Sequence, residues 1–263
     1  MKIEIYTRSM NWQLYKLSSK TVVLPYKKKR CRFTTADGYF YQNIMKSSAD
    51  IILNIDEDAF ITDNARLKNL LEFFIDNDYV NCGVPDGGVM DIRKHNPLVT
   101  NPFFNILNVK KIKEHFNLQN LQKNYTVHRP EYVKFTPHHI LKSKYQYDFY
   151  EPYVPFFLWL ATNFKTLYLD ATEHNDGLSN IVLDHEGNSF LLHSWYSRFY
   201  GIDNSHTIRI NNLFEEATQQ EISNNLTLLD KCIEKIDRLG MMYYFPLKCR
   251  INTKLGFLAN GKF

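Results

Sequence analysis

Two aspartates flank a glutamate directly after an apolar segment: Asp56, Glu57 and Asp58 follow residues 51–55. The segment is short, branched and apolar on both faces, which predicts a buried strand. In open α/β sheets, ligands bind at the carboxyl ends of such strands. Two carboxylates separated by one residue can reach one divalent ion, and their oxygen atoms suit Mg²⁺ or Mn²⁺. Acidic residues also commonly end strands, so the triplet alone leaves a cation site and a structural turn as alternatives.

Two other acidic motifs can be compared with this triplet. A calcium-binding EF-hand loop needs a third Asp or Asn and then Gly, but Phe60 and Ile61 stand at those positions. Residues 53–58 resemble the strand and Asp-x-Asp of haloacid dehalogenase-type phosphatases. That family continues with Gly-Thr or a similar pair, whereas Ala59 and Phe60 follow here. A phosphotransfer enzyme, either such a phosphatase or a nucleotidyltransferase, therefore stays as an alternative.

Strand and helix patterns alternate around the triplet. The predicted strands cover residues 2–7, 21–24, 32–34, 51–55 and 79–84. The predicted helices cover residues 11–18, 37–45 and 63–76. In the last of these, the apolar residues recur at the spacing of one helical face. This alternation predicts βαβ units and an α/β fold with a mostly parallel central sheet flanked by helices.

The second half of the chain is less regular. A helix over 154–164 and a strand over 166–170 are predicted after the loop-rich region 85–150, and an amphipathic helix over 213–239 follows polar loops. We expect a catalytic domain over residues 1–205 and a C-terminal helical extension over residues 206–263 packed on it.

Composition excludes several classes of protein. The formal net charge is +4 over 263 residues and the basic residues are mostly scattered, which does not favour nucleic-acid binding. The basic run over 27–30 is interpreted as a solvated loop, with a contact to phosphate or a lipid headgroup as the alternative. The four cysteines are widely separated, which argues against zinc or redox motifs and favours reduced thiols in the cytoplasm. No apolar run reaches the length of a membrane span, and the N-terminus begins a strand rather than a signal peptide.

Residues 36–61 as a block resemble the GT-A glycosyltransferases, especially the large inverting bacterial family. The shared pattern is a helix at 39–45, a polar bridge at 48–50, the strand, and then the acidic triplet with Ala59 and Phe60. The resemblance implies that Asp56 and Asp58 bind the Mn²⁺ or Mg²⁺ carried by the diphosphate of a nucleotide-sugar donor. The residues that it implies for the nucleotide and donor are Thr7, Arg8, Asp37 and Glu57. The donor-base loop after the first strand is short, at residues 7–9, which leaves the nucleotide open.

Two later blocks are similar to the same family. Asp148 and Glu151 precede the helix at 154–164, where the family places an acidic motif. The resemblance implies Glu151 as the general base and Asp148 as the second choice, although an acid at a helix N-terminus is also favourable without catalysis. His193 follows the apolar residues 190–192, at the position of the family's late histidine ligand, which implies a third metal ligand.

Two further groups of candidate residues lie outside these blocks in the sequence. His174 and His185 compete with His193 for the metal, but they lie in polar, glycine-containing stretches that predict mobile loops. Asp86 and the flexible pair Gly87 and Gly88 are expected to border the acceptor.

Together these patterns and the resemblance predict a metal-dependent glycosyltransferase, and the resemblance alone implies that it is inverting. Its acceptor would be a glycan or a lipid-linked glycan, as in the synthesis of surface polysaccharide or lipopolysaccharide. A non-catalytic carbohydrate-binding protein is a further alternative. The basic, aromatic tail over 248–263 either contacts the anionic inner face of a membrane peripherally or packs on the domain.

Overall fold

The computed structural model describes residues 1–222 and 226–254 of the chain. The strands are β1 (Ile3–Arg8), β2 (Lys27–Cys31), β3 (Ile51–Ile55), β4 (Ala59–Ile61), β5 (Asn81–Gly83), β6 (Phe104–Asn108), β7 (Thr166–Tyr168), β8 (Ala171–Glu173), β9 (Asn180–Leu183) and β10 (Ser189–His193). The helices are α1 (Trp12–Thr21), α2 (Ala36–Gly38, continued by a π-helix over Tyr39–Ile44), α3 (Asn64–Asp76), α4 (Val109–His115), α5 (Leu118–Asn124), α6 (Val154–Asn163), α7 (Asn204–Thr218), α8 (Leu228–Leu239) and α9 (Phe245–Lys254).

The central sheet of the described chain has six strands in the order β2-β1-β3-β6-β5-β7. The pairs β1–β2, β1–β3 and β5–β7 are parallel, whereas β6 runs antiparallel to both of its neighbours. All five residues of β3 are buried, as their apolar pattern predicts. The prediction of a mixed α/β fold with a mostly parallel central sheet is therefore confirmed. The carboxyl ends of β1, β3 and β5 consequently lie at one edge of the sheet.

The first strand of a second, antiparallel sheet follows directly after the acidic triplet. Its strands lie in the order β4-β10-β9-β8. Ala59, the first residue of β4, pairs with His193, the last residue of β10. The backbone nitrogen of Ser194 donates to the carbonyl oxygen of Asp58 at 3.0 Å. This register places His193 beside the triplet.

Two apolar clusters cover the two faces of the central sheet. Alternate residues of β1 and β3 enter different clusters, as the two-residue period of a strand requires. The helix α3 buries Leu67, Leu70, Leu71 and Phe74 in one cluster, and its N-terminus is capped by Asp63. The helix α6 is buried over most of its length in the other cluster.

A buried amide network crosses the middle of the sheet. The Nδ2 atom of Asn54 on β3 donates to Oδ1 of Asn105 on β6 at 3.1 Å, and Nδ2 of Asn105 donates to Oγ1 of Thr100 at 3.0 Å. The hydroxyl of Tyr39 donates to Oδ1 of Asn54 at 2.6 Å. Because buried polar groups are costly when unpaired, this network fixes the register of β3 and β6.

Four predicted elements differ from the structure. Residues 21–24 are not a strand, because α1 continues to Thr21 and the chain then leaves as an extended coil. The basic run forms the edge strand β2 rather than a solvated loop, while residues 32–34 form no strand. Exposed lysines are well placed on an edge strand, where they discourage pairing with another chain. The predicted helix over 213–239 consists of α7 and α8 with a break between them.

The helices after residue 205 pack against the rest of the chain. Ile210, Leu213 and Phe214 of α7 share an apolar cluster with Leu14 and Phe60. The division of the chain at residue 205 stays a prediction, and residues 255–263 of the predicted membrane tail lie outside the described residues. Within the described chain, no helix is long and apolar enough to cross a bilayer.

Candidate functional site

Arg8 and Asp56 face each other where β1 and β3 end. The Nη2 atom of Arg8 lies 4.0 Å from Oδ2 of Asp56, and the two side chains are 32% and 18% exposed. The backbone nitrogen of Asp56 donates to the carbonyl oxygen of Phe103 at 2.8 Å, which fixes the start of the triplet. Burial raises the pKa of Asp56 to about 7, although Arg8 acts to lower it, and the neighbouring carboxylate of Asp58 raises it further. The edge of the sheet thus carries paired opposite charges.

Glu57 fixes the loop between β1 and α1. Its Oε2 atom accepts hydrogen bonds from the backbone nitrogens of Met10 at 3.1 Å and Asn11 at 2.9 Å. Burial and the charge of Asp56 raise the pKa of Glu57 to about 8. This carboxylate therefore has a structural role. The predicted contact between Glu57 and the donor stays a prediction.

Asp58, the last residue of the triplet, lies beside His193. Oδ1 of Asp58 lies 3.5 Å from Nε2 of His193, and both side chains are at most 5% exposed. The imidazole stacks on Phe103 with ring centres 3.9 Å apart. Burial alone would raise the pKa of Asp58, but the electrostatic attraction of His193 and hydrogen bonds from its neighbours lower it overall. The sequence-predicted ligands Asp58 and His193 are thereby brought together.

The fit of a divalent cation to these residues can be judged from their geometry. The 3.5 Å between Asp58 and His193 is longer than a normal hydrogen bond. It is close to the spacing of two neighbouring ligands of one ion, which is about 3.0 Å for metal bonds of about 2.1 Å. The Nδ1 atom of His193 is buried without a hydrogen-bond partner. Among the described residues, however, no group of three His, Cys, Asp or Glu side chains is arranged to hold an ion. An ion would therefore need oxygen atoms from a ligand or water as well.

Asp86 follows β5 and is fully engaged by neighbouring side chains. Its two oxygens accept from Nε and Nη2 of Arg93, and Oδ1 also accepts from Nδ2 of Asn101. Burial raises the pKa of Asp86, although Arg93 and Asn101 act to lower it. The carboxylate of Asp86 therefore holds Arg93, and the expectation that Asp86 borders the acceptor stays a prediction.

Arg93 is the first residue that the sequence analysis missed. Its guanidinium carbon lies 6.0 Å from the ring centre of Tyr150 and 5.8 Å from that of Trp195. Its pairing with Asp86 spans seven positions within an irregular segment, so no periodic pattern marked it. The only available signal was a turn sequence, Pro85 to Gly88, followed by an arginine.

Gly87 and Gly88 are fixed rather than flexible, which corrects the prediction. A Cβ atom on Gly87 would lie 1.8 Å from the carbonyl oxygen of His95, so only glycine permits this backbone approach. Gly88 has a φ of 88°, and its carbonyl oxygen accepts from the backbone nitrogens of Lys142 and Ser143 at 2.7 and 2.8 Å. The two glycines therefore hold the segments around His95 and Lys142 in place.

Glu151 is half-buried near the same charges. Within the described chain, its carboxylate makes no hydrogen bond to another residue. Burial raises the pKa of Glu151; Arg93 and Arg8 act to lower it, and Asp86 acts to raise it. A half-buried carboxylate with a raised pKa and unused oxygen atoms can accept a proton from a bound molecule.

Asp148 is bonded to a histidine that the sequence analysis also missed. Its Oδ2 atom lies 2.6 Å from Nδ1 of His95 and accepts from Nε2 of Gln146 at 3.0 Å. The ring of His95 stacks on Tyr150 with centres 4.3 Å apart. Asp148 therefore orients His95, and the pair is a second possible acid–base group at this edge of the site.

The turn after His193 is strained and is held by an arginine. Trp195 and Tyr196 have φ values of 56° and 59°, in the left-handed region that large side chains rarely adopt. Nη1 of Arg209 on α7 donates to the carbonyl oxygen of Ser194 at 2.5 Å, and Nη2 donates to that of Trp195 at 3.1 Å. These bonds place the Trp195 ring 4.3 Å from the His193 ring.

Four predicted residues are not brought to this site by any described contact. Thr7 is a buried residue of β1 paired in register with Arg30, and Asp37 is buried in α2. His174 is not in an exposed loop, as the sequence suggested, because it is buried and lies 3.1 Å from Oε2 of Glu216. His185 stacks on Phe73 of α3, with ring centres 4.0 Å apart.

Comparisons with known proteins give only distant similarities. No protein-family model and no curated protein matches the sequence. One similar structure is the mannosyltransferase PcManGT from Pyrobaculum calidifontis in complex with GDP-Man and Mn²⁺. The similarity covers 56% of this chain and 55% of that chain, about half its length, at 7% identity and a TM-score of 0.35. Another is A197 from STIV, with 73% of this chain and 94% of that chain covered, at 10% identity and a TM-score of 0.35. Neither similarity is close enough to assign a family.

Proposed function

We propose that this protein is a GT-A glycosyltransferase that moves a sugar from a nucleotide-sugar donor to a hydroxyl of a glycan or lipid-linked acceptor. One observation carries the proposal. The carboxylates of Asp56 and Asp58 follow β3, and Arg8 lies 4.0 Å from the first of them. The charge of Arg8 also acts on the half-buried carboxylate of Glu151. Transfer from a sugar diphosphate needs these two functions, charge neutralisation at the leaving group and a base at the acceptor.

The diphosphate of the donor would bind at the triplet. Asp56 and Asp58 would hold Mn²⁺ or Mg²⁺ together with diphosphate oxygens, and His193 would be a further ligand, for which Mn²⁺ is the more suitable ion. When bound, the ion neutralises the charge that develops on the leaving diphosphate. Arg8 adds a fixed positive charge beside Asp56, which also favours an anionic donor.

The acceptor would bind on the side of Glu151. The pKa of Glu151 is raised towards neutral pH, and a general base is most effective when its pKa is near the working pH. Arg93, held by Asp86, lies between the Tyr150 and Trp195 rings. Such aromatic faces beside polar groups suit the binding of sugar rings. A single base on the acceptor is consistent with direct displacement and inversion at the transferred sugar.

A thermal-shift screen tests the proposal. Nucleoside diphosphates and nucleotide sugars are added with Mn²⁺, with Mg²⁺ or with a chelator. We expect one nucleotide to raise Tm only with the ion, by roughly 5–10 °C at a concentration 100-fold above Kd. Asp58→Asn should abolish the rise, and Asp76→Asn, at an exposed position on α3, should retain it.

Three results would contradict this function. An equal rise without any divalent ion would remove the ion from the donor site. Release of free phosphate from a phosphoester, or of pyrophosphate from a nucleoside triphosphate, would instead favour a phosphotransfer enzyme. Binding of a glycan with no effect of nucleotide or metal would favour a carbohydrate-binding protein.

A further inference from the structure

The helix α8 docks on the protein through its acidic residues. Oδ1 of Asp230 accepts from Nε1 of Trp12 at 2.8 Å, and its Oδ2 accepts from Nζ of Lys16 at 2.8 Å. Asp237, two turns later, accepts from Nη2 of Arg30 at 2.6 Å and Nη1 of Arg32 at 3.0 Å. Both aspartates are 4% exposed and are the buried residues of this helix. The polar side of α8 is therefore the side that faces the protein.

The opposite side of α8 is apolar and exposed. Its four large apolar side chains, which are between 46% and 79% exposed, are Leu228, Leu229, Ile236 and Leu239. The exposed apolar surface continues into the next turns at Met242, Tyr243, Tyr244 and Leu247. Several of these residues line an open groove of about 450 Å³ together with Phe33. This arrangement is the reverse of an ordinary surface helix, whose apolar side faces the core.

Basic residues border this apolar face. Lys231, Lys235 and Arg238 are exposed and recur at a spacing of four and three residues, so they lie along one flank of α8. Two of the three acidic residues of the helix do not balance them at the surface, because Asp230 and Asp237 are buried in ion pairs. The third, Glu234, is half-buried. The outer surface of α8 therefore combines exposed apolar side chains with positive charge.

We propose that α8 and residues 240–247, here called the interfacial segment, lie in the surface of an anionic lipid bilayer. An amphipathic helix with an exposed apolar face and flanking lysine or arginine binds in this way, with its axis in the plane of the membrane. Tyr243 and Tyr244 suit the boundary between headgroups and acyl chains, where tyrosine is enriched. The positive flank complements anionic headgroups, which distinguishes this occupant from a second copy of the same basic face.

The proposal is independent of the proposed enzymatic function. It would place the protein at a membrane without any contribution from Asp56, Asp58 or Glu151. The anchoring residues Trp12 and Lys16 belong to α1, which follows β1 and Arg8 in the chain. A bilayer bound at the interfacial segment would thus contact α8, and α8 is hydrogen-bonded to α1, the helix that follows Arg8 of the candidate site.

Sedimentation of the full-length protein with vesicles tests the proposal. The vesicles are phosphatidylcholine alone or phosphatidylcholine mixed with phosphatidylglycerol. We expect binding to the mixed vesicles at low salt, and weaker binding at high salt or without phosphatidylglycerol. The double variant Ile236→Ser/Leu239→Ser should weaken partitioning on the order of 10²-fold, because two apolar side chains no longer enter the bilayer.

Matched variants separate the two contributions. Lys231→Gln/Lys235→Gln should weaken binding to the anionic vesicles by roughly fivefold for each lysine, and should leave binding to neutral vesicles unchanged. Val23→Ser/Ile202→Ser replaces residues that are 72% and 81% exposed elsewhere on the surface, and it should bind as the parent protein does.

Three outcomes would overturn the proposal. The first is no sedimentation of the parent protein with the anionic vesicles. The second is a dimer in analytical ultracentrifugation that Ile236→Ser/Leu239→Ser dissociates without changing vesicle binding, which would assign the face to a second copy. The third is a large fall in Tm for that variant in the absence of lipid, because a truly exposed face contributes little to folding.

Discussion

The two oxygens of the Asp86 carboxylate each accept a hydrogen bond from the Arg93 guanidinium, one from Nε and one from Nη2, both at 2.8 Å. Asp86 is 1% exposed and the Arg93 side chain is 17% exposed. Removing one partner of a buried pair leaves the other charge uncompensated, which costs more than the pair itself contributes. Asp86 thus fixes the guanidinium of Arg93 close to the rings of Tyr150 and Trp195.

Asp86→Asn is expected to lower the free energy of unfolding by about 3 kcal/mol, since the buried Arg93 charge would lose its counter-ion. Chemical denaturation with urea measures the difference. Asp91→Asn, at an exposed position in the same segment, is the control and should change stability by less than about 0.5 kcal/mol. Equal losses in the two variants would show that the pair does not hold this segment.

Asp184 gives a prediction for the pH dependence of stability. Its Oδ1 atom accepts from the backbone nitrogens of Glu186 and Asn188 at 2.9 Å each, and Oδ2 lies 3.2 Å from Nη1 of Arg66. Burial alone would raise the pKa of Asp184, but these hydrogen bonds and Arg66 lower it overall. A carboxyl with a lowered folded-state pKa stabilises the fold above its unfolded pKa of about 3.9, and this contribution disappears as the pH falls below that value.

Asp184→Asn should therefore lower the free energy of unfolding by about 1 kcal/mol at pH 7, because the amide keeps an acceptor oxygen but loses the charge. The gap between parent and variant should shrink as the pH falls from about 4 towards 2. Glu186→Gln is the matched control, because Glu186 is 3.8 Å from the same arginine but 63% exposed, and it should have little effect. A gap that is constant down to low pH would contradict the assignment of the charge.

The central sheet was largely predictable because its signals are local. The run Ile51–Ile55 is apolar on both faces, and Asp63 caps a helix with one regular apolar face. The strand β6 was missed because Asn105 and Asn108 interrupt its apolar pattern. Asn105 is tolerated there only because Asn54 and Thr100 satisfy its amide, and these partners are invisible to a local pattern.

The candidate site was predictable where a residue follows a recognisable strand, as Asp56 does. Its pairings could not be worked out from local patterns, because they depend on contacts between distant parts of the chain, and only the family resemblance placed His193 with Asp58. His193 meets Asp58 through the antiparallel register of β10 and β4, which no spacing in the sequence encodes. The orientation of α8 was missed for the same reason, since its acids are seen to face inward only from their partners on α1 and around β2.

Arg209 is expected to maintain the strained turn at Trp195. Arg209→Met keeps the apolar stem and removes the donors to the carbonyl oxygens of Ser194 and Trp195. We expect a loss of about 2 kcal/mol in stability and a change in the Trp195 fluorescence. The Trp195 signal is obtained by difference from Trp195→Phe, because the chain has three tryptophans. Arg198→Met, at an exposed position of the same region, should leave both measurements unchanged.

His193 is expected to contribute to the affinity for the ion. With a nucleoside diphosphate present, His193→Gln should weaken Mn²⁺ binding by roughly tenfold or more, measured by titration calorimetry. His174→Gln is the control, because His174 is buried against Glu216 and has no described contact with the triplet. Unchanged affinity in His193→Gln would mean that the diphosphate, water and the aspartates complete the shell of the ion.

Glu151→Gln should preserve donor binding and remove most of the transfer. Glutamine keeps the shape and the hydrogen-bonding capacity of the side chain but cannot accept the proton of the acceptor hydroxyl. A general base typically contributes 10²–10⁴-fold, so a fall of roughly 10²-fold or more in kcat is expected. Because the pKa of Glu151 is raised, the parent enzyme should lose activity on the acid side at a pH above the ordinary glutamate range. This acid limb should be absent from the residual activity of the variant.

The His95–Asp148 pair is the competing base, and a second variant distinguishes it from Glu151. Asp148→Asn removes the carboxylate at 2.6 Å from Nδ1 of His95 while leaving Glu151 unchanged. If Glu151 is the base, Asp148→Asn should retain the acid limb and lose much less activity than Glu151→Gln does. The opposite pattern, near-normal turnover in Glu151→Gln and a large loss in Asp148→Asn, would transfer the role to His95. Asp86 is a poorer candidate for the base than either group, because its side chain is 1% exposed and both of its oxygens accept hydrogen bonds from Arg93.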